Sequence, residues 1–168
     1  MNKALFLDRD GTINVNSGYV CKPEDFFLID GIETLMRAAR DAGYKIIVVT
    51  NQSGIARGYY TEADYEKITA YMTDLFAQKG IKIDAVYHCP DLESPDRKPA
   101  SGMFFKAQKA FDLNMTDCLC LGDSETDVQA ALGAGVEKAF LIAPPDTASA
   151  AFKIVQSPQE VVSFLCKE

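Results

Sequence analysis

Positive charge is scarce in this sequence: 17 lysines and arginines face 24 aspartates and glutamates, for a formal net charge of -7. That balance argues against a general affinity for nucleic acid or an anionic membrane, so an anionic substrate needs cations supplied locally. Long apolar runs are missing too. None approaches a membrane span, and the N-terminal apolar stretch stops at Asp8, too early for a signal-peptide core. A soluble, cytoplasmic protein is the expectation. The five cysteines, an odd number without the spacing of a secreted framework, fit a reducing compartment. Repeats, low-complexity segments and dividing linkers are also absent, so residues 1–168 read as a single domain able to bury a core without disulfides.

What the chain does have is a regular alternation of strand-like and helix-like stretches, the pattern of an α/β fold. Residues 4–7 are all apolar and bounded by Asp and Gly, as in a buried strand that ends at Asp8. A mostly polar stretch over about 12–22 precedes a helix over about 32–41, which Gly43 would end. Residues 46–49 are four β-branched residues in a row, suited to a central strand covered on both faces. Thr61 can cap a helix running to Gln78, and 85–88 make a third short strand. Beyond a loop through Pro99, a helix over 102–111 puts Met103, Ala107 and Ala110 on one face. Residues 118–121, 126–132 and 139–142 read as strand, helix and strand, and Ser157-Pro158-Gln159-Glu160 opens a final helix. Cys118 and Cys120 fall on a buried strand, where they pack as small hydrophobes. The expected architecture is a three-layer, Rossmann-like α/β fold around a central parallel sheet of five strands.

The run Phe6-Leu7-Asp8-Arg9-Asp10-Gly11-Thr12 carries the clearest chemical signal. Residues i and i+2 of an extended chain point the same way, so Asp8 and Asp10 address one small volume beyond the first strand. Two like charges that close push one pKa up unless a divalent cation offsets them, which implies a hard cation such as magnesium. Alone, the run fits a solvated acidic turn or a calcium loop equally well.

Other polar groups fall at the remaining strand ends, where open parallel sheets bind ligands. Thr50 and Asn51 follow the second strand, Arg97 and Lys98 lie in the loop after the third, and Asp123 and Asp127 follow the fourth. Singly, Thr50 can merely end a strand, Lys98 can be solvated and Asp123 can cap a helix. Together they supply what phosphoryl transfer asks for. Lys98 and magnesium offset the repulsion between a carboxylate nucleophile and a phosphate dianion, and Thr50 and the turn at Asn51 offer donors to the phosphoryl oxygens. Asp123 is a natural metal ligand, and Asp127 can hold Lys98 or a metal-bound water in place.

These residues resemble the haloacid dehalogenase superfamily of aspartate-nucleophile phosphatases. Asp8-Arg9-Asp10-Gly11-Thr12 matches its first motif, Thr50 its second, Lys98 its third, and Gly122-Asp123 through Asp127 its fourth. The resemblance implies that Asp8 forms an aspartyl-phosphate and that Asp10 protonates the leaving oxygen, then activates water. It also implies Mg2+ held by the side chains of Asp8 and Asp123 and the main-chain carbonyl of Asp10. Within the superfamily, the segments 6–14, 18–20, 50–58 and 97–99 look like the heptose-bisphosphate and histidinol-phosphate phosphatases, heptose group foremost. That likeness implies a small phosphorylated metabolite, a sugar phosphate above all, as substrate, and a capless fold. Arg57 and Arg97 become candidates for gripping substrate oxygens or a distal phosphate. A phospho-accepting receiver module also gathers acidic residues, Thr and Lys at sheet ends. It needs a long-lived aspartyl-phosphate, whereas Asp10 is placed to hasten hydrolysis.

Two departures from that group stand out. Its zinc loop of one His and three Cys is shortened here to the segment 88–97, where Cys89 is the one clear ligand match. Ser124 stands where the heptose enzymes commonly carry Lys or Arg. A structural zinc site needs four ligands with the right reach. Metal analysis of the purified protein is therefore expected to find no stoichiometric zinc, and a stoichiometric signal would overturn that expectation.

Overall fold

The all-apolar segment Ala4–Leu7 forms strand β1 at the centre of the sheet, with every residue buried. In the computed structural model, which describes residues 1–165, it is joined by β2 (Lys45–Asn51), β3 (Ala85–Cys89), β4 (Leu119–Gly122), β5 (Lys138–Ile142) and β6 (Lys153–Val155). The order is β3-β2-β1-β4-β5-β6 and every neighbouring pair is parallel. Phe6 sits in register between Ile47 on β2 and Cys120 on β4.

Successive strand residues face opposite sides, so the sheet divides the core in two. Leu5, Leu7, Ile46, Val48 and Leu121 pack against α1 (Ile32–Asp41), α2 (Glu62–Gln78) and a 3-10 segment at Pro158–Phe164. Phe6, Ile47, Val49, Cys120 and Leu141 meet α3 (Gly102–Phe111) and α4 (Glu125–Gly133) on the other face. The result is the expected three-layer α/β arrangement. Cys118 and Cys120 are buried, and burial pushes the Cys118 thiol up to about 11, as suits a small core side chain.

The sheet has six strands where the sequence suggested five. β6 is a three-residue Lys-Ile-Val segment whose first residue is exposed. It is too short for an alternation pattern, and pairing with β5 is what makes it a strand. Thr61 caps α2 as expected, its hydroxyl accepting from Asp64 N–H at 3.1 Å. The final helical segment starts at the expected Ser157 cap but winds as a 3-10 helix. The expectation that a helix ends the chain reaches into 166–168, outside the described residues. Between β1 and α1 the described chain forms only a 3-10 turn at Pro23–Asp25 and isolated bridges, in keeping with a capless form. Among the described residues, no helix is long and apolar enough to cross a membrane.

The chain runs outward from β1 to β2 and β3, then returns to β4 on the far side of β1. Connection order reverses between β1 and β4, so a crevice opens beyond their carboxyl ends. The core under it depends on aromatic packing. Phe104 of α3 is fully buried with its ring centroid 4.7 Å from that of Phe6. Phe104→Ala is expected to lower the unfolding free energy by about 3–5 kcal/mol in denaturant titration.

Candidate active site

The crevice collects the polar residues at the strand ends. Lys98, only 3% exposed, donates from Nζ to Asp127 Oδ1 at 2.5 Å, Val49 O at 2.7 Å and Asp8 Oδ1 at 3.0 Å. Burial works against the ammonium, but the Asp8 and Asp127 carboxylates overcome it and hold the lysine above its ordinary pKa. Its backbone is fixed as well: Asn51 Nδ2 donates to Lys98 O at 3.0 Å, and Lys98 N–H donates to Asn51 Oδ1 at 3.0 Å. The Asn51 side chain thus ties the loop after β3 to the end of β2.

Asp127 serves two partners. Its Oδ1 meets Lys98, while Oδ2 accepts from the Ser124 N–H at 3.1 Å and closes a capping box at the start of α4. Ser124, not Asp123, is the helix cap. That leaves the Asp123 carboxyl in the crevice, close enough to Asp8 for a hydrogen bond between the two.

Two carboxyls at that distance need a proton or a cation between them. Burial and the Asp127 carboxylate push the Asp8 carboxyl well above the usual range, with Lys98 pulling part of the way back. Burial and Asp127 raise Asp123 in the same direction. Oxygens of Asp8, Asp123 and Asp127 lie within 4.8 Å of one another. Gly11, at φ +84, keeps the space beside them open: a Cβ there would sit 1.9 Å from Asp123 Oδ2. An all-oxygen donor set with excess negative charge fits a hard divalent cation.

Asp10 is held from several sides. Arg9, 1% exposed, donates to Oδ1 from Nε at 3.2 Å and to both oxygens from Nη2. Asn14 Nδ2 reaches Oδ1 at 3.0 Å and Gln52 Nε2 reaches Oδ2 at 3.1 Å. The same Gln52 nitrogen donates to Thr50 Oγ1 at 2.8 Å. The cleft has a volume of about 400 Å³, and Asp8, Asp10, Asn51, Lys98, Asp123 and Asp127 all line it. Thr50 stands behind it, 1% exposed.

Besides Thr50, two of the sequence candidates fall outside the lining. Arg57 is exposed on the turn after β2, and Arg97 donates to Asp91 O at 3.3 Å. Conversely, Arg9, Gln52 and Tyr60 belong to the site and were not singled out from the sequence. Arg9 could have been noticed as a cation inside the Asp-x-Asp motif, and Gln52 as a neighbour of Asn51. Tyr60 has no local signal, because its partner is eight residues away.

The chain belongs to the haloacid dehalogenase-like hydrolase family, whose model matches residues 2–135. Its relatives narrow the field. It is 46% identical over 177 aligned residues, 98% of this chain and 94% of the relative, to D-glycero-alpha-D-manno-heptose-1,7-bisphosphate 7-phosphatase of Burkholderia mallei. It is 42% identical over 145 residues, 84% of each chain, to D-glycero-beta-D-manno-heptose-1,7-bisphosphate 7-phosphatase of Helicobacter pylori. The crystal structure of D,D-heptose 1,7-bisphosphate phosphatase from B. bronchiseptica, complexed with magnesium and phosphate, matches with a TM-score of 0.85 at 28% identity over 97% of both chains.

The raised carboxyls set a pH dependence. A folded pKa above the unfolded value stabilises the metal-free protein below the ordinary carboxylate range, and that stability is lost as pH rises through the folded pKa of Asp8. A cation that binds the ionised carboxylates restores what is lost. Magnesium is therefore expected to raise the thermal midpoint more at about pH 7.5 than at about pH 5. An equal shift at both would contradict the assignment.

Proposed function

We propose that residues 1–168 act as one phosphatase domain that removes the 7-phosphate of a heptose 1,7-bisphosphate through an aspartyl-phosphate on Asp8. The observation that carries this reading is Asp8 against the buried Lys98 ammonium at 3.0 Å, at the point where the sheet's connection order reverses. The names of the two heptose relatives support the substrate. The α anomer is the first to try, because the α-named relative aligns with 98% of this chain and the β-named one with 84%.

On this reading the Asp8 carboxylate attacks phosphorus while the bond to the sugar oxygen breaks and Asp10 gives that oxygen a proton. Water then attacks the aspartyl-phosphate, Asp10 takes its proton, and the bond to the Asp8 oxygen breaks to release phosphate. Lys98 offsets the charge that builds on the phosphoryl oxygens, and Thr50, just behind the lining, is the candidate hydroxyl donor to them. Asp127 and Asn51 hold Lys98 in that position. Mg2+, held by the Asp8 and Asp123 side chains and the Asp10 carbonyl, would offset the charge of the phosphate against the carboxylates. Arg97, adjoining Lys98, and Arg57 lie outside the cleft lining and are candidates only for a distal phosphate that projects beyond it.

Zinc has no part in this reading. His88 stacks on Tyr65 with ring centroids 3.9 Å apart and meets Glu62 at 3.0 Å, while Cys89 is buried with its thiol 3.8 Å from Asp91 O. Adjacent residues of a strand point to opposite faces, so the two do not converge on one ion.

The test is phosphate release with magnesium across both anomers of heptose 1,7-bisphosphate, histidinol phosphate, and simple sugar and glycerol phosphates. Selectivity for a heptose bisphosphate supports the reading; a preference for another ester would redirect the substrate assignment. Asp8→Asn is expected to abolish turnover with the fold intact, and clear residual activity would remove Asp8 as nucleophile. Lys98→Ala is expected to lower kcat by about a hundredfold or more, and a near-normal rate would place the lysine outside the chemistry.

A further inference from the structure

We infer that Tyr60, acting through Gln52, is a positioning residue that fixes the Asp10 carboxyl for proton transfer to the leaving oxygen. The inference rests on the acid–base role proposed above for Asp10. A carboxamide has two ends of nearly equal shape, and nothing within Gln52 decides which of them faces Asp10. Tyr60 decides it. Its hydroxyl donates to Gln52 Oε1, which turns Nε2 toward Asp10 Oδ2 at 3.1 Å and Thr50 Oγ1 at 2.8 Å. With the amide reversed, its carbonyl oxygen would face the Asp10 carboxylate and the donor would be lost to both.

One amide therefore joins the acid–base residue at the end of β1 to the hydroxyl at the end of β2. The relay is buried throughout, with Gln52 2%, Thr50 1% and Tyr60 7% exposed, so water does not readily replace a missing partner. Burial lifts the Tyr60 phenol to about 12, which keeps the hydroxyl protonated at neutral pH. Arg9 and Asn14 both grip Asp10 Oδ1. Arg9 Nη2 also reaches Oδ2 at 2.9 Å, and Gln52 adds a second donor to that oxygen from the end of β2, so that the donors together set the carboxyl plane.

The backbone makes separate provision for this ring. A Cβ at Gly54 would lie 2.2 Å from Tyr60 Cε1 and 2.8 Å from Tyr19 Cδ1. The missing side chain at 54 is what lets Tyr60 reach Gln52. Gly54→Ala thus displaces the same ring by an independent route.

The test compares kcat/KM on a sugar phosphate and on p-nitrophenyl phosphate for the wild type, Tyr60→Phe, Gly54→Ala and Asp10→Asn. A nitrophenolate departs without a proton and a sugar alkoxide does not, so lost acid catalysis shows only on the sugar ester. Tyr60→Phe is expected to lose roughly tenfold on the sugar phosphate, part of the ~10²–10⁴ that general acid catalysis supplies, and less than about twofold on the aryl ester. Gly54→Ala should reproduce that selectivity. Equal losses on both esters, or none on either, in Tyr60→Phe overturn the positioning role if Asp10→Asn itself is selective. Should Asp10→Asn show no selectivity, the acid–base reading of Asp10 falls and this inference falls with it.

Discussion

The Lys98 ammonium draws together the end of β1 through Asp8, the end of β2 through the Val49 carbonyl and the start of α4 through Asp127. Taking such a group out of water costs several kcal/mol unless its protons all find acceptors. Here three acceptors meet three donor hydrogens. The arrangement also couples fold to site, because the Asp127 carboxylate that grips Lys98 closes the capping box of α4 with its other oxygen. A change at either end disturbs both.

Around that ammonium the cleft remains rich in negative charge. Asp8, Asp10, Asp123 and Asp127 all line it with Lys98, and the neighbouring Arg9 is committed to Asp10. Burial first, and the Asp127 carboxylate after it, raise the Asp8 and Asp123 carboxyls there. A phosphate dianion entering such a cleft needs a further cation, and the neighbouring oxygens of Asp8 and Asp123 fit one, both Asp127 oxygens being engaged by Lys98 and the Ser124 N–H. Family membership and the resemblance to heptose bisphosphate phosphatases agree with that chemistry.

Much of this was legible in the sequence for local reasons. Continuous apolar and β-branched runs mark β1 and β2, and helical periodicity marks α1, with Gly43 as its stop, and α3 at their observed limits. Residue types at strand ends brought Asp8, Asp10, Lys98, Asp123 and Asp127 together because parallel topology carries every such end to one edge. Contacts made across the sequence were not legible. Gln52 meets Asp10 from 42 residues away and Asn51 meets Lys98 from 47, and no periodicity reports such pairs. β6 has too few residues for a pattern. Arg57 and Arg97 looked like cleft residues from their neighbours in sequence, but side-chain direction in a loop is set by turn geometry.

Whether Asp8 carries the phosphoryl group is decided by acid-quenching the enzyme during turnover and mapping phosphorylated peptides by mass spectrometry. A phosphoryl adduct on Asp8, absent from the Asp8→Asn variant, is the predicted result. Turnover with no adduct on Asp8, or with the adduct on another residue, would contradict Asp8 as the carrier.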